Sequence, residues 1–560
     1  MSLARAAPLL TAAVLAGPLV FGLAGTALPA FGYLPALGGM HLTAQPFLDL
    51  FAAPGIVRSG VLALSAGLVT TAIAFLAVAL FVAGSAGEPV FGRLRHLISP
   101  LLAVPHAAAA FGLAFLIAPA GFLFRLASPW LTGSDRPPDL LIVHDPYGLA
   151  MIAGLTVKEI PFLFLIALAA LPQLRLQETR RLAASLGYGR IAGFVYLLMP
   201  ALYGQIRLAV YAVIAYASSV VDVATILGPA LPAPLPVRLL AWMSDPDLTL
   251  RFVASAGALL QLAVTILALG IWWSAERIAA RAVRRFCAQG VRFRRDLWLR
   301  RLAAAAVAAS AAAVFAGLAL LALWSIAGLW QFPDALPGYF TLKTWARVLP
   351  EIAGPLETTL SVAALSTVLA VLLAIGCLER ERATGRRGGG AALLMIYLPL
   401  LVPQIAFVFG LQVLILAAGL DASFAALVLV HLVFVLPYVF LSLSDPWRSL
   451  DRRYDVVAAA LGQSQSRILF RVRLPMLARA VLTAAAVGFA VSVGQYLPTV
   501  LIGAGRLTTV TTEAVALASG GNSRIVGVYA FLQAVLPFLG FAVASLLPAL
   551  LFRKRRALRA

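Results

Sequence analysis

Two adjacent ionisable residues stand inside a long apolar run, where a charge is costly and points to a role in transport or in helix packing. Lys158 and Glu159 lie in the run 148–172 and precede Pro161. Because neighbouring residues on a helix diverge by about 100°, the two side chains cannot simply pair with each other. We expect each to have a partner on another helix. They would either line a pathway or form a structural ion pair, and the sequence favours neither.

The other residues capable of chemistry do not assemble into a catalytic or metal-binding pattern. The five histidines are scattered without metal-ligand spacing, and His106 and His431 are expected in helices as packed neutral imidazoles. None of the three lysines follows a glycine, so the chain has no nucleotide-binding P-loop. The sequence therefore predicts neither an enzyme nor a cofactor or metal site. Energy for any transport must therefore come from outside this chain.

A short pattern of small residues, glycine and proline occurs twice with the same spacing. We call residues 175–200 the first duplicated loop and residues 450–475 the second duplicated loop. Small residues allow close approach to a partner, glycine permits a turn between two short helices, and proline stops the helix behind it. One copy would fit an ordinary basic loop, but two copies favour a knob that fits a groove in another protein. The copies are Ala183-Ala184-Ser185-Leu186-Gly187 with Met199-Pro200, and Ala458-Ala459-Ala460-Leu461-Gly462 with Leu474-Pro475.

These loops must be positioned by membrane-spanning helices. Hydrophobic residues make up 62% of the chain, charged residues 12%, and the mean hydropathy is +0.97. Apolar runs recur that are long enough to cross about 30 Å of hydrocarbon, and within lipid they must be helices. The fold class is therefore an all-α integral membrane protein with about twelve transmembrane helices. The runs lie near 8–30, 60–83, 97–124, 148–172, 206–228, 253–274, 302–330, 357–378, 391–418, 422–443, 478–502 and 525–551.

The net charge of +21 has a topological explanation. If the N-terminus is cytoplasmic, most Lys and Arg residues fall on the cytoplasmic side, so both termini face the cytoplasm. The linker 276–301 carries nine arginines together with aromatic residues. We expect a helix lying at the anionic inner leaflet, with membrane lipid rather than nucleic acid as its partner. A cleaved signal peptide is the weaker reading of the first run.

The chain is internally duplicated. Val104-Pro105 and Phe111-Gly112-Leu113 recur 298 positions later as Val402-Pro403 and Phe409-Gly410-Leu411, and the duplicated loops are 275 positions apart. A parallel duplication of six spans explains these offsets. It predicts two homologous six-helix halves, residues 1–275 and 302–560, joined by the linker.

The duplicated loop resembles the EAA signature of permease subunits in binding-protein-dependent ABC importers. The whole chain is similar to the fused two-repeat permeases of thiamine, ferric-iron and related importers, which implies a type I importer fold. Where the family usually has a glutamate opening the small-residue triplet, this chain has Arg181 and Val456. Glu178 and Asp455 lie nearby, and the sequence leaves open whether they substitute for it.

The resemblance implies the partners and the location. Two cytoplasmic ATP-binding subunits would dock on the duplicated loops, an extracytoplasmic solute-binding protein would deliver the substrate, and the chain would lie in the bacterial inner membrane. The coupling residues would be Ala183, Ala184, Gly187, Pro200, Ala458, Ala459, Gly462 and Pro475.

Residues of the substrate pathway also follow from the resemblance. Asp222 occupies a place similar to an acidic position at the end of the fifth span in related permeases, and the second half holds Gly494-Gln495-Tyr496 in the similar place. These residues would line the cavity or serve packing. The candidate pathway residues are Lys158, Glu159, Asp222, Gln495 and Tyr496.

Alternative functions and the substrate stay open. An ion-gradient-driven secondary transporter with six-plus-six helices is the main rival, and a membrane scaffold without transport activity is a third possibility. A thiamine-like cation, iron, a polyamine and an oxyanion all fit as substrate. The polar stretch 508–522 is read as a solvated loop, with a re-entrant segment as the alternative.

Overall fold

The regular structure of the chain is helical throughout the residues that the computed structural model describes, 2–386 and 388–551. The first half contains α1 (Ser2–Ala30), α2 (Gln45–Ala52), α3 (Ile56–Ser85), α4 (Pro89–Ile98), α5 (His106–Ile117), α6 (Phe122–Ala127), α7 (Leu149–Ala170), α8 (Leu176–Ser185), α9 (Arg190–Leu197), α10 (Met199–Ser219), α11 (Asp222–Leu227), α12 (Leu235–Met243) and α13 (Leu250–Ala288). The second half contains α14 (Leu297–Ile326), α15 (Lys343–Thr384), α16 (Gly390–Leu401), α17 (Gln404–Ala417), α18 (Phe424–Ser449), α19 (Arg453–Ala460), α20 (Gln465–Ile468), α21 (Leu474–Met476), α22 (Ala478–Val493), α23 (Leu497–Gly503), α24 (Val510–Ala516) and α25 (Ser523–Leu551).

The described helices support a multi-pass membrane protein. Nine of them are long and apolar enough to cross a membrane, and three further pairs reach that length when each bent pair is taken as one span. The resulting upper count of twelve agrees with the number of apolar runs. The all-α membrane fold predicted from hydropathy is thus confirmed.

Two of the predicted spans are wrong as continuous helices. The run 97–124 breaks before α5, and the run 391–418 breaks between α16 and α17, whose axes differ by 87°. Each break falls at a Val-Pro pair, where a residue before proline avoids the helical region. Val104 has ψ 123° and Val402 has ψ 127°, both extended. The duplicated Val-Pro motif is therefore a helix break.

Two more runs are also interrupted. The run 206–228 divides into α10 and α11 after Val220, whose ψ is 138°, and the run 478–502 divides into α22 and α23 at residues 494–496. The short helices α11 and α23 begin 275 residues apart, at Asp222 and Leu497. This register corrects the sequence comparison: Asp222 corresponds to Leu497, and Gln495 stands two positions earlier. No amide replaces the acid at that position.

The two halves exchange their first helices. The helix α1 packs mainly against α17 and α15 of the second half, and α14 packs against α5, α3 and α7 of the first half. Residues 1–275 therefore do not form a separate packing unit. Since α1 is part of the core between the halves, the structure gives it a role that a cleaved signal peptide would not have.

The repeated glycines explain how closely these exchanged helices approach. A Cβ built on Gly112 of α5 would lie 2.7 Å from Gly317 of α14, and one built on Gly410 of α17 would overlap α1 at Gly22 and Gly25. In addition, the backbone N–H of Gly410 donates to Thr26 Oγ1 at 3.0 Å. The Phe-Gly-Leu motif thus marks two related helix crossings that admit no side chain.

The linker differs from the helix expected at the membrane surface. The helix α13 is 39 residues long, about 58 Å at 1.5 Å per residue, and it contains the predicted boundary at 275/276. The part of α13 after residue 274 extends about 20 Å farther along the same axis, because the helix is continuous to Ala288. The chain then runs without helix from 289 to 296 before α14 begins at Leu297.

The first part of the stretch 508–522 is a largely buried helix, contrary to the favoured reading of the stretch as a solvated loop, whereas 516 and 520–522 are exposed. It contains α24, which Thr509 caps through its side chain, and Thr511 is fully buried and donates to the Val493 carbonyl. Gln533 donates to Thr511 Oγ1 at 3.0 Å. A buried, internally bonded helix is what the re-entrant alternative predicts.

Candidate functional site

Both duplicated loops fold into the same glycine turn. Gly187 and Gly462 each have φ +76°, a left-handed conformation that favours glycine. Each turn separates two short helices and closes the first of them with a backbone bond. The N–H of Gly187 donates to the Ala184 carbonyl at 3.0 Å, and that of Gly462 donates to the Ala459 carbonyl at 2.9 Å. The glycine turn is a C-terminal helix cap, built twice.

The two alanines before each turn face opposite ways. Ala183 and Ala458 are buried, while Ala184 and Ala459 are exposed. A Cβ on Gly193 would lie 2.6 Å from the Ala183 Cβ, so the two arms of the first loop are in close contact. The buried alanines therefore allow the helices on either side of the turn to pack together.

Each loop also presents apolar side chains at matching positions. Leu182 and Leu186 of the first loop are 56% and 51% exposed, and Val457 and Leu461 of the second loop are 59% and 74% exposed. The pairs are related by the same offset of 275 residues. Each loop therefore exposes a pair of apolar side chains at equivalent positions, as expected of sites that bind other proteins.

The prolines act differently in the two loops. Pro200 lies in the first turn of α10, and the chain bends by 69° between α9 and α10. In the second loop, a π-helical turn at Leu469–Arg473 leads through α21, which contains Pro475, and the 76° bend falls beyond it. The membrane helix α22 therefore begins three residues after Pro475, and only the first copy follows the predicted arrangement.

The linker holds the first duplicated loop. The N–H of Gly189 donates to the Arg292 carbonyl at 2.8 Å, and the N–H of Ile191 donates to Asp296 Oδ2 at 2.8 Å. The hydroxyl of Tyr196 donates to the Val291 carbonyl at 3.1 Å. A Cβ on Gly189 would lie 2.1 Å from the Phe293 carbonyl oxygen, so the linker crosses the loop at backbone contact.

A buried ion network holds the second duplicated loop. Asp455 accepts from Arg382 Nε at 2.6 Å and from Arg473 Nε at 2.9 Å, and Arg473 also contacts Glu379. The Arg473 side chain is 5% exposed. Although partial burial of the Asp455 carboxyl opposes ionisation, the two arginines outweigh it and hold its pKa below the ordinary value.

The sequence left open whether a nearby carboxylate replaces the missing EAA glutamate, and the ion network supplies such a carboxylate in the second loop only. Asp455 takes part in the ion pairs that tie the second loop to α15. Glu178, by contrast, is exposed and lies 3.8 Å from Arg175 of its own helix turn, a pair of little energetic consequence. Asp455 therefore fixes its loop, and Glu178 does not.

A second candidate site lies between the halves, around His106. Glu159 is buried, and its Oε1 lies 3.0 Å from His106 Nε2. The ring of Tyr216 lies 4.6 Å from the His106 ring, and Asp222 and Tyr496 of the second half lie nearby. We call these five residues the inter-half cluster.

Lys158 stands apart from this cluster. Its Nζ donates to the Leu101 carbonyl at 2.7 Å, in the 3₁₀ turn Ser99–Ala103 that precedes the break at Pro105. The separate partners expected for Lys158 and Glu159 are thus present. Lys158 satisfies a carbonyl at a helix break, while Glu159 contacts His106.

Gln495 lies beside the inter-half cluster in sequence but has its own partner. Gln404 Nε2 lies 3.5 Å from Gln495 Oε1. Gln404 follows Pro403 as His106 follows Pro105, 298 residues earlier. The sequence prediction missed His106 and Tyr216 as members of the cluster. The Val-Pro duplication, extended by one residue, is the signal that finds His106.

His431 is buried, as expected, but its surroundings are polar. Its Nδ1 lies 2.8 Å from Ser492 Oγ, and its Nε2 lies 3.0 Å from Thr499 Oγ1. The imidazole thus bridges α22 and α23 across the break that contains Gln495 and Tyr496. His431 is a positioning residue for this break.

Comparisons with known proteins identify the family of the chain. Residues 366–556 match the family of binding-protein-dependent transport system inner membrane components. The inner membrane ABC transporter permease protein YnjC of Escherichia coli is 33% identical over 537 residues, which cover 94% of each chain. The molybdenum transport system permease protein ModB of Mycobacterium tuberculosis is 34% identical over 28% of this chain and 63% of its own length. The spermidine/putrescine transport system permease protein PotC of Haemophilus influenzae is 30% identical over 23% of this chain and 49% of its own.

Proposed function

The chain belongs to the ABC transporter permeases of binding-protein-dependent import, and we propose that it forms a whole transmembrane pathway by itself, with one ATP-binding subunit on each duplicated loop. As a permease subunit it is not an enzyme, and ATP hydrolysis takes place in separate subunits. It couples to them through the duplicated loops, which are cytoplasmic. The sequence repeats, 1–275 and 302–560 with the linker 276–301, would supply one docking loop each.

The proposal of two ATP-binding subunits per chain rests on the matched geometry of the two loops. The glycine turns share one φ value, and the exposed apolar pairs Leu182/Leu186 and Val457/Leu461 are related by one offset. Two copies of one ATP-binding subunit need two similar surfaces, and this single chain has both. The rival ion-driven transporter gives no reason for this duplication.

The stoichiometry is tested by purifying the chain in mild detergent and weighing the complex by native mass spectrometry. We expect two ATP-binding subunits per chain. Leu186→Asp or Leu461→Asp alone should leave one subunit bound, because each places a charge in one apolar contact and spares the other. Two subunits bound to the double variant, or none bound to the native chain, would overturn the proposal.

The inter-half cluster is proposed as part of the substrate pathway. His106, Glu159 and Asp222 of the first half meet Tyr496 of the second half there, with Gln495 adjacent. Intramembrane ionisable groups at the junction of two moving halves are natural pathway residues. Two carboxyl groups stand in this cluster, whereas the Lys158 ammonium binds Leu101, and this balance favours a cation over an oxyanion.

Uptake in whole cells tests this assignment. Asp222→Asn and Glu159→Gln keep the shape of each side chain and remove its charge, so uptake of a cation should fall about tenfold or more while the complex with the ATP-binding subunits stays intact. Lys158→Met should instead lower the yield of folded protein. Native uptake by both carboxyl variants would remove these residues from the pathway.

The remaining features concern orientation and partners. The chain is a multi-pass membrane protein of a family normally found in the inner membrane. We assign both termini to the cytoplasm, since basic residues concentrate on the side of the duplicated loops. The solute-binding protein would bind at the opposite end, near a cleft of about 280 Å³ between the halves, lined by Phe115, Arg125, His144, Trp324 and Asn522 among others. Membrane lipid would contact the exposed apolar faces.

A further inference from the structure

The linker carries an exposed basic surface that the fold does not use. The six arginines between residues 281 and 295 are all exposed, and none of them forms an ion pair with another residue of the described chain. The nearest carboxylate in sequence, Asp296, is buried and accepts from the Ile191 N–H. The six arginines are Arg281, Arg284, Arg285, Arg292, Arg294 and Arg295.

Two of these arginines lie beside the glycine turn of the first duplicated loop. Arg294 Nε donates to the Gly187 carbonyl at 3.2 Å, and the Arg292 guanidinium lies beside the same glycine. Arg295 is next in the chain, before the anchor at Asp296. The segment thus places its arginines next to the glycine turn.

The second duplicated loop carries comparable charges in its own sequence. In the arm after its glycine turn, Arg467 and Arg471 are exposed and without an ion pair among the described residues. The corresponding residues of the first loop, 275 positions earlier, are Ala192 and Tyr196. Arg190, the one arginine in that arm, is paired with Glu88.

We propose that Arg292, Arg294 and Arg295 of the linker complete the docking surface for the ATP-binding subunit on the first duplicated loop, where they meet an acidic part of that subunit. The inference rests on the proposed function, because it needs a subunit on each loop. Two copies of one subunit require similar charges beside both apolar pairs. The linker supplies on the first loop what the second loop has in its own sequence, and guanidinium groups suit such an interface because they pair with carboxylates bidentately.

The position of the linker favours a protein partner over lipid headgroups. The helix α13 continues for about 20 Å beyond residue 274 before the extended segment begins. That segment then bonds to the backbone of a loop that projects into the cytoplasm. Arg277, stacked 3.6 Å from the Trp273 ring near the end of the span, is the better placed residue for lipid.

The test isolates the first loop and reverses its added charges. The chain carries Leu461→Asp, which disables the second loop, and is reconstituted in nanodiscs of phosphatidylcholine. The dissociation constant of the purified ATP-binding subunit is measured at about 50 and 300 mM NaCl. We expect Arg292→Glu/Arg295→Glu to weaken binding at least tenfold at low salt and to flatten the salt dependence. Arg292→Gln/Arg295→Gln should give a smaller loss, which guards against misfolding of the reversed variant.

The control reverses two other charges of the same sign. Arg5→Glu/Arg277→Glu should leave the dissociation constant within about twofold, because both residues are exposed and neither contacts the loop. Equal losses in the control and test variants would overturn the proposal, as would an unchanged constant and salt slope in the test variant. If the test variant loses affinity only when one third of the lipid is phosphatidylglycerol, the arginines bind lipid and the proposal is wrong. Failure of the native chain to bind any ATP-binding subunit would instead refute the proposed function.

Discussion

The two duplicated loops have the same glycine turn but are fixed to the molecule by opposite chemistry. In the first loop Arg180 donates to the Ala86 carbonyl, just beyond α3. At the equivalent position of the second loop stands Asp455, which accepts from Arg382 near the end of α15. Each loop is therefore tied to the end of the second long helix of its own half, once through a cation and once through an anion.

The arm after the turn shows a second difference. Leu198 in the first loop corresponds to Arg473 in the second, and both are 4% exposed. The first arm is apolar inside and is covered by the linker, whereas the second depends on an ion network. The glycine turn is thus formed locally by the repeated sequence. The contacts that attach each loop to the rest of the molecule come from residues that are not repeated. The two loops should consequently fail in different ways.

The largest difference is expected on removal of the buried guanidinium. Arg473→Leu copies the residue of the first loop but leaves the buried Glu379 carboxylate uncompensated and Asp455 with Arg382 as its remaining partner. The second loop should lose about 3–5 kcal/mol, measured by hydrogen exchange and limited proteolysis of residues 453–473. Arg471→Leu on the exposed side is the matched control and should stay within about 0.5 kcal/mol.

The same network offers a restoring variant. Replacing Glu379 by Leu as well as Arg473 should recover most of the loss, because Asp455 keeps Arg382 as its partner and no buried carboxylate is then left unpaired. If Arg473→Leu is as mild as Arg471→Leu, the second loop does not depend on the network, and the contrast with the first loop disappears.

Removal of the linker anchor should affect only the first loop. Asp296→Ala leaves the Ile191 N–H without its acceptor at a buried position, a loss of about 1–3 kcal/mol. Amides of residues 187–193 should exchange faster, while those of 459–468 stay as in the native chain. Faster exchange in both loops would show that the two supports are coupled through the membrane helices.

Substitution of the turn glycines separates backbone strain from packing. Gly187→Ala and Gly462→Ala should each lose about 1–2 kcal/mol, because both force a side chain into the left-handed region. Gly187→Leu and Gly462→Leu, by contrast, should differ in their affinity for the ATP-binding subunit. A Cβ at Gly187 already lies 3.1 Å from Arg294 Nη2, whereas nothing lies within 4 Å at Gly462. Equal affinities of the two leucine variants for the ATP-binding subunit would show that the linker moves away from residue 187 without loss of binding free energy.

The sequence predicts the features that the two loops share, but not the contacts that distinguish them. Spacing is enough to find the turn at Gly187 and Gly462, because a small-residue helix, a glycine and a proline act locally. Hydropathy likewise finds the spans. It does not find the breaks at Pro105 and Pro403, since a long apolar run keeps its character across a helix break.

Contacts between distant segments were beyond the reach of sequence patterns. Nothing in the order of residues indicates that Asp296 anchors Ile191, or that α1 belongs to the core of the second half. His106 illustrates the intermediate case. Its duplicate Gln404 is visible in the sequence, but its contact with Glu159 requires α5 and α7 to be placed side by side.

The smallest expected effect concerns the side chain on which the linker rests. Tyr196→Phe removes one hydrogen bond to the Val291 carbonyl and keeps the edge contact with the Tyr188 ring, so the loss should be about 0.5–1.5 kcal/mol. Arg471 stands at the equivalent place of the second loop, exposed and with no segment laid across it. Tyr196→Phe should therefore speed hydrogen exchange of residues 289–293 severalfold, while Arg471→Ala leaves its own loop unchanged. If hydrogen exchange of residues 289–293 does not change, the backbone contact at Gly189 alone holds the segment. The Tyr196 hydroxyl then does not contribute to the difference between the first loop and the second.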